Sequence, residues 1–170
     1  PCARDTGVVL MRSHVVAPSR RLDPEAARRV EEIAADYPDF SVTFDAQCFL
    51  QSGHFAGTDE VRARAFLAAA NDPSINVLWF ARGGYGSCRI LDAVVGELSP
   101  QAENKTYIGY SDTGYFLSAL AARGVGQAVH GPMVADVMRE GGHVAVRRVL
   151  DFLGGDEHAL EPSLKDVPAA

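Results

Sequence analysis

The sequence predicts an α/β fold, a mostly parallel sheet flanked by helices. Short β-rich runs alternate with helical runs along the chain, the β-then-α units recur about every 25–35 residues, and proline- or glycine-rich breaks separate them. His14-Val15-Val16-Ala17 reads as the first strand, ended by Pro18-Ser19. Asp23-Pro24-Glu25 then opens a helix, with Asp23 as acceptor for orphan N–H groups and Pro24 at the first helical position. Ala26, Ala27, Val30, Ile33 and Ala34 form its apolar face, and it stops before Pro38. Phe40–Phe44 alternates with period two and is a strand. Thr58-Asp59-Glu60 starts the next helix, with Val61, Ala65, Phe66, Ala68 and Ala69 on its apolar side and Asn71-Asp72-Pro73 as its stop. Ile75–Phe80 is the strongest strand, rich in branched and aromatic residues.

A glycine loop, Gly83-Gly84-Tyr85-Gly86, precedes a helix carrying Ile90, Leu91, Val94, Val95 and Leu98. Lys105–Gly109 is a strand, Asp112–Arg123 a helix terminated by Gly124, and Gly126–His130 another short strand. Val144–Leu153 is the last helix, closed by Gly154-Gly155. In sheets of this kind ligands collect at the carboxyl ends of the strands, which singles out the loops Ala81–Gly86, Tyr110–Asp112 and His130–Pro132.

Composition narrows the function classes. The 170 residues suit one domain that buries roughly 70% of its unfolded surface. Sixteen basic against 22 acidic residues give a net charge of −6, which argues against a nucleic-acid partner held by phosphate neutralisation. The apolar runs are too short for a transmembrane helix, and Val8–Met11 is too short for a signal-peptide core, so no membrane partner is expected. Cys2, Cys48 and Cys88 are odd in number and widely spaced; they fit neither a disulfide framework nor a four-cysteine metal site. Because the chain starts at Pro1 and Met11 reads as a natural start, residues 1–10 are expected to be a non-native or disordered lead, with the domain spanning 11–155. Residues 156–170, with Pro162 and Pro168, read as a linker.

Tyr107–Gly114 carries the most chemical information. A strand runs into a helix with Ser111 at the junction and Gly109 two residues earlier, the arrangement of a strand–turn–helix nucleophile elbow. The Asp112 N–H then sits at a helix N-terminus, where it can receive an oxyanion. The match to G-x-S-x-G is imperfect, because Thr113 replaces the last glycine; the competing reading makes Ser111 or Asp112 a plain helix cap. Arg82-Gly83-Gly84-Tyr85-Gly86 brings backbone N–H groups close to a bound anion or acyl oxygen, or else merely turns the chain. Arg89 stands where a dinucleotide fingerprint needs its third glycine, and no P-loop is present. None of the five histidines has zinc-site spacing. His130 is placed to approach Ser111 as a base, against a packed histidine that holds its loop; Cys88 reads as a thiol at a helix N-terminus or, more simply, as a small buried residue.

Together these segments resemble the N-terminal domain of the LD-carboxypeptidases, serine peptidases that include murein-recycling enzymes and microcin C self-immunity proteins. The residues carrying the resemblance are Val16–Ser19, Gly53–Asp59, Ala81–Gly86, Ile108–Asp112 and Val129–Met133. It implies a flavodoxin-like sheet related to class I glutamine amidotransferases, with Ser111 as nucleophile and the amides of Asp112 and the Gly83-Gly84 turn as oxyanion hole. Arg82, Tyr85 and His130 become substrate contacts. The implied reaction cleaves an amide between an L-centre and a terminal D-amino acid, such as D-Ala on a muropeptide tetrapeptide, in the bacterial cytoplasm. It needs neither metal nor organic cofactor, its partner is a small peptide substrate, and relatives are commonly homodimers.

In the family the triad's Glu and His lie in a C-terminal domain, which the residues after Gly155 are too few to supply. His130 matches a first-domain position rather than the base. The chain is therefore expected to carry the nucleophile half alone, and loss of a triad base costs on the order of 10⁴–10⁶ in turnover. A catalytically incomplete peptide-binding module, a microcin C-type self-immunity peptidase and a nucleotide-binding half-domain are the alternatives, the last disfavoured by Arg89.

Overall fold

Five strands form one sheet in which every pairing is parallel, in the order β2-β1-β3-β4-β5. They are β1 (Met11–Val16), β2 (Phe40–Phe44), β3 (Val77–Phe80), β4 (Thr106–Gly109) and β5 (Gln127–His130). The helices are α1 (Pro24–Ala34), α2 (Asp59–Asn71), α3 (Ser87–Val95), α4 (Gly114–Arg123) and α5 (Gly142–Leu153). The computed structural model describes residues 10–156 and 158–160, so most of the expected lead and all of the linker beyond Leu160 lie outside the described residues. Within the expected linker, 158–160 form a turn: Arg148 Nε donates to the Ala159 carbonyl at 2.6 Å, and Leu160 packs against the core.

A buried parallel sheet needs apolar side chains on both faces, and β3 supplies them with four residues no more than 1% exposed. Val15, Val77, Trp79 and Ile108 face α1 and α5, packing with Val30, Val146, Val149 and Leu150. Val16, Leu78, Phe80 and Tyr107 point the other way, onto Phe66, Ile90, Val94, Phe116 and Leu120 of α2, α3 and α4. The strand period of two thus sorts one sequence into two cores and a three-layer sandwich.

Several elements follow the expected residues closely. Asp23 caps α1 by accepting from the Glu25 N–H at 2.9 Å, with Pro24 at the first position. Thr58 caps α2, and Gly124 ends α4 in the left-handed conformation. Other boundaries shift: β1 begins three residues early, at Met11, while β3 begins two residues late and α3 stops before Leu98. The apolar side of α2 is also rotated from the expected one. Ala68 is exposed and Arg62 is buried, because the Arg62 guanidinium donates to the Pro18 and Gly86 carbonyls and pairs with Asp59. Cys88 is exposed rather than buried, while Cys48 is sealed in the core, its thiol pushed up by burial and held toward the Val15 carbonyl.

The Phe66 and Phe116 rings stack at 4.4 Å between centroids, with Phe80 on the same cluster. Phe116→Ala is expected to cost about 3–5 kcal/mol, measured as a lowered urea midpoint, because the rings around it cannot collapse into the void.

Candidate active site

Strand order reverses between β1 and β3, so the loops leaving their carboxyl ends diverge and leave a crevice. The loop after β4 borders the same crevice. Polar side chains buried beneath it fix these loops. Gln47 accepts from the Ala17 N–H at 3.1 Å and donates to the Ala17 and Ala56 carbonyls at 2.8 and 2.6 Å. Arg62 ties Pro18, in the β1 loop, to Gly86, in the glycine loop.

The loop after β4 bends sharply. Tyr110 is extended, and Ser111 then adopts φ 59°, the only positive φ of a non-glycine among the described residues. A non-glycine residue there costs roughly 1–3 kcal/mol and persists only when its surroundings enforce it. Gly109 gives the bend its room, since a Cβ there would lie 2.6 Å from both Phe80 Cδ2 and Thr113 Oγ1. Thr113, in place of the motif's last glycine, donates its hydroxyl to the Tyr110 carbonyl at 2.8 Å and closes the turn from inside. The helix beyond begins as a short 3₁₀ turn, Ser111–Thr113, before α4.

Asp112 is not a cap for its own helix. Its carboxylate accepts from the Ser87 N–H at 2.9 Å and from the Ser19 hydroxyl, and Ser19 and Ser87 hydroxyls lie 2.9 Å apart. The cap position of α3 is Gly86, which has no side chain, so Asp112 supplies the missing acceptor from another loop. Elbow, glycine loop and β1 loop therefore meet on one buried carboxylate. Gly83 is pressed against the elbow: a Cβ there would lie 3.1 Å from Ser111 Cβ and Oγ and 3.5 Å from the Asp112 nitrogen.

A cleft of about 370 Å³ opens over this junction. Ser111, Gly83, Gly84 and Arg82 all line it, with Tyr110, Asp23 and Ala26. Ser111 is exposed, and its hydroxyl has no hydrogen-bond partner among the described residues. Three expected residues are not on its lining: Asp112 is buried beside Ser111, and Tyr85 and His130 lie elsewhere. Tyr85 is exposed beyond the loop, with ring centroids 6.3 Å from His54 and 6.1 Å from Phe55. His130 lines a neighbouring cleft that shares Tyr110 as a wall, its ring 5.9 Å from that of Tyr110.

Met133, Ala135, Met138 and Arg139 complete the Ser111 cleft from a 3₁₀ segment over Val134–Met138 that the sequence reading did not single out. Met133 closes the Val129–Met133 run, so its neighbourhood was the available signal; nothing in the local pattern marks Arg139. Tyr110 donates to Asp136 at 2.9 Å, and burial followed by that bond raises its pKa. Arg89 turns outward to pair with Asp59 instead of pressing between helix and strand. Among the described residues no group of three His, Cys, Asp or Glu side chains is placed to hold a metal ion, and no helix is long and apolar enough to cross a membrane.

Comparison with known proteins is consistent in direction. The family description of the LD-carboxypeptidase N-terminal domain matches residues 14–131. A Rickettsia conorii protein named as a candidate carboxypeptidase is 31% identical over 127 residues, which cover 74% of this chain and 39% of that protein. The murein tetrapeptide carboxypeptidase of Pseudomonas aeruginosa is 35% identical over 80 residues, 47% of this chain and 26% of its own length. Among solved structures, the muramoyltetrapeptide carboxypeptidase of Oxalobacter formigenes superposes with a TM-score of 0.60 at 25% identity, covering 73% of this chain and 40% of that one. An MccF-like protein of Bacillus anthracis gives 0.63 at 18% identity over 88% and 44% respectively, a likeness of fold. The chain thus spans less than half the length of these relatives.

Asp112→Ala is expected to destabilise the protein by about 2–4 kcal/mol in urea unfolding, since it removes a helix cap and takes the acceptor from the Ser87 N–H and the buried Ser19 hydroxyl. Amide exchange should quicken at Ser87 and across the first turn of α3.

Proposed function

Because the chain belongs to the LD-carboxypeptidase family through its N-terminal domain, we propose that it supplies the nucleophile of a serine carboxypeptidase. The substrate class is a peptide whose terminal D-amino acid is joined to an L-centre, as in a muropeptide tetrapeptide during murein recycling in the bacterial cytoplasm. The observation that carries this reading is the strained elbow: Ser111 is held at φ 59° with an exposed hydroxyl, directly against Gly83 and the Asp112 amide.

In the proposed reaction Ser111 Oγ attacks the scissile carbonyl carbon and its proton passes to a base. No described residue engages that hydroxyl, and the family resemblance implies that the base is a His oriented by a Glu, both in a C-terminal domain; that relatives extend beyond the matched region supports this reading. Negative charge develops on the former carbonyl oxygen, where N–H groups of Asp112 and of the Gly83-Gly84 turn receive it. The tetrahedral adduct collapses, the D-amino acid leaves with a proton on its amine, and water hydrolyses the acyl-serine. Arg82 contacts substrate in the same cleft, whereas Tyr85 and His130, which do not line it, would contact only a substrate that extends beyond it. A homodimer fits the same reading.

The unpartnered Ser111 hydroxyl also favours a second reading, a module that binds such a peptide without cleaving it. The test is release of D-alanine from a muropeptide tetrapeptide by the full-length protein. Ser111→Ala is expected to lower kcat by roughly 10³–10⁶ with stability retained. Full activity in that variant would remove the mechanism, and tight peptide binding without hydrolysis in the wild type would favour the module. Gly83→Ala, at a φ that alanine can adopt, is expected to lower kcat roughly 10- to 1000-fold by crowding Ser111 and the oxyanion site, again with little change in urea midpoint.

A further inference from the structure

Most arginines near the helices are paired: Arg28 and Arg29 with Glu25, Arg62 and Arg89 with Asp59, Arg147 with Asp36. Arg82 is different. It is partly buried, it lines the Ser111 cleft, and it has no hydrogen bond or ion pair among the described residues. Two further cations face it. Arg20 lays its aliphatic stem over Gly84, where a Cβ would meet its Cγ at 2.6 Å, and shares with Arg82 an adjoining cleft of about 490 Å³. Arg139 also lines the Ser111 cleft. Burial first, then Arg20 and Arg139, push the Arg82 pKa down, as expected of a partly desolvated guanidinium with like charges close to it.

The carboxylates nearby are already engaged. Asp23 lines both clefts but serves as the cap of α1. Asp136 accepts from Tyr110 at 2.9 Å and from the Met133 N–H at 2.8 Å, and pairs with the exposed Arg139 at 3.3 Å. In a chain of net charge −6, an unpaired and partly desolvated guanidinium beside the nucleophile is a receptor for an anion.

We infer that Arg82, flanked by Arg20 and Arg139, receives the free carboxylate of the substrate's last residue and thereby restricts the site to terminal bonds; this rests on the reading of Ser111 as nucleophile. The geometry fits the chemistry. In a substrate cut at its final amide, the terminal carboxylate belongs to the residue next to the attacked carbonyl, and neighbouring residues are about 3.8 Å apart. The receptor must then share one small cleft with the nucleophile, as Arg82 does. A planar guanidinium binds a carboxylate through two parallel N–H bonds, which lysine cannot reproduce.

The experiment compares two substrates on the full-length protein: the tetrapeptide ending in D-alanine, and the same peptide ending in D-alaninamide. The wild type is expected to favour the acid by roughly 10- to 100-fold in kcat/KM, chiefly through KM. Arg82→Ala should lower kcat/KM for the acid that much more than for the amide, and Arg82→Lys should fall between. Absence of a preference in the wild type, or equal losses on both substrates in Arg82→Ala, would overturn the inference. So would preferential cleavage of an acyl phosphoramidate over the acid, which would assign the cations to a phosphoryl group. If neither peptide is cut, the nucleophile reading fails separately, and calorimetric binding of the same two peptides decides: acid-selective binding lost in Arg82→Ala supports the carboxylate receptor, and unselective or undetectable binding overturns it.

Discussion

The Asp112 carboxylate holds the site together. It is almost fully buried, yet it accepts from a backbone N–H at the start of α3 and a serine hydroxyl from the β1 loop, so its desolvation is offset by donors from two other segments. The strained backbone at Ser111 sits immediately before this anchor. A residue in that conformation relaxes unless its neighbour is pinned, and here the neighbour is pinned to the start of α3, just after the glycine loop. The strain at Ser111 and the closeness of Gly83 are two results of one bond set.

The sheet explains why those segments meet. Order β2-β1-β3-β4-β5 sends the chain outward in opposite directions from β1 and β3, leaving their carboxyl ends without a covering crossover. Such an opening exposes backbone groups that ordinary secondary structure would pair. Gln47 and Arg62 satisfy several of them from below, each with a side chain buried among apolar neighbours. Rigid loops at a crevice are the result, and a cleft with a hydroxyl, amides and cations on its walls.

Much of this was legible in the sequence, for stated reasons. Helix starts at Asp23 and Thr58, the period-two run Phe40–Phe44 and the glycine stop at Gly124 are local signals, written within a few residues of where they act. The bend at Ser111 was legible from Gly109 and the abrupt strand-to-helix change, and the family motifs spread over the chain strengthened it. What escaped were side chains whose partners lie far away in sequence. Asp112 reads as a cap for the helix it begins, yet its partners are 25 and 93 residues distant. Arg62 reads as the polar side of α2, and only the carbonyls of Pro18 and Gly86 explain its burial. Arg139 and Arg20 have no periodicity to mark them; three-dimensional proximity to Arg82 gives them meaning.

The borrowed cap of α3 has a consequence for how this domain can drift. Gly86 lacks a side chain to begin its own helix, and its φ of 140° discourages acquiring one. The acceptor must keep coming from position 112; the Ser19 hydroxyl donates to it, and the Ser87 hydroxyl is matched in turn to that of Ser19. Three positions scattered across the gene are thereby inherited as a set: a replacement at one demands an answering replacement at the others, long before any question of catalysis arises.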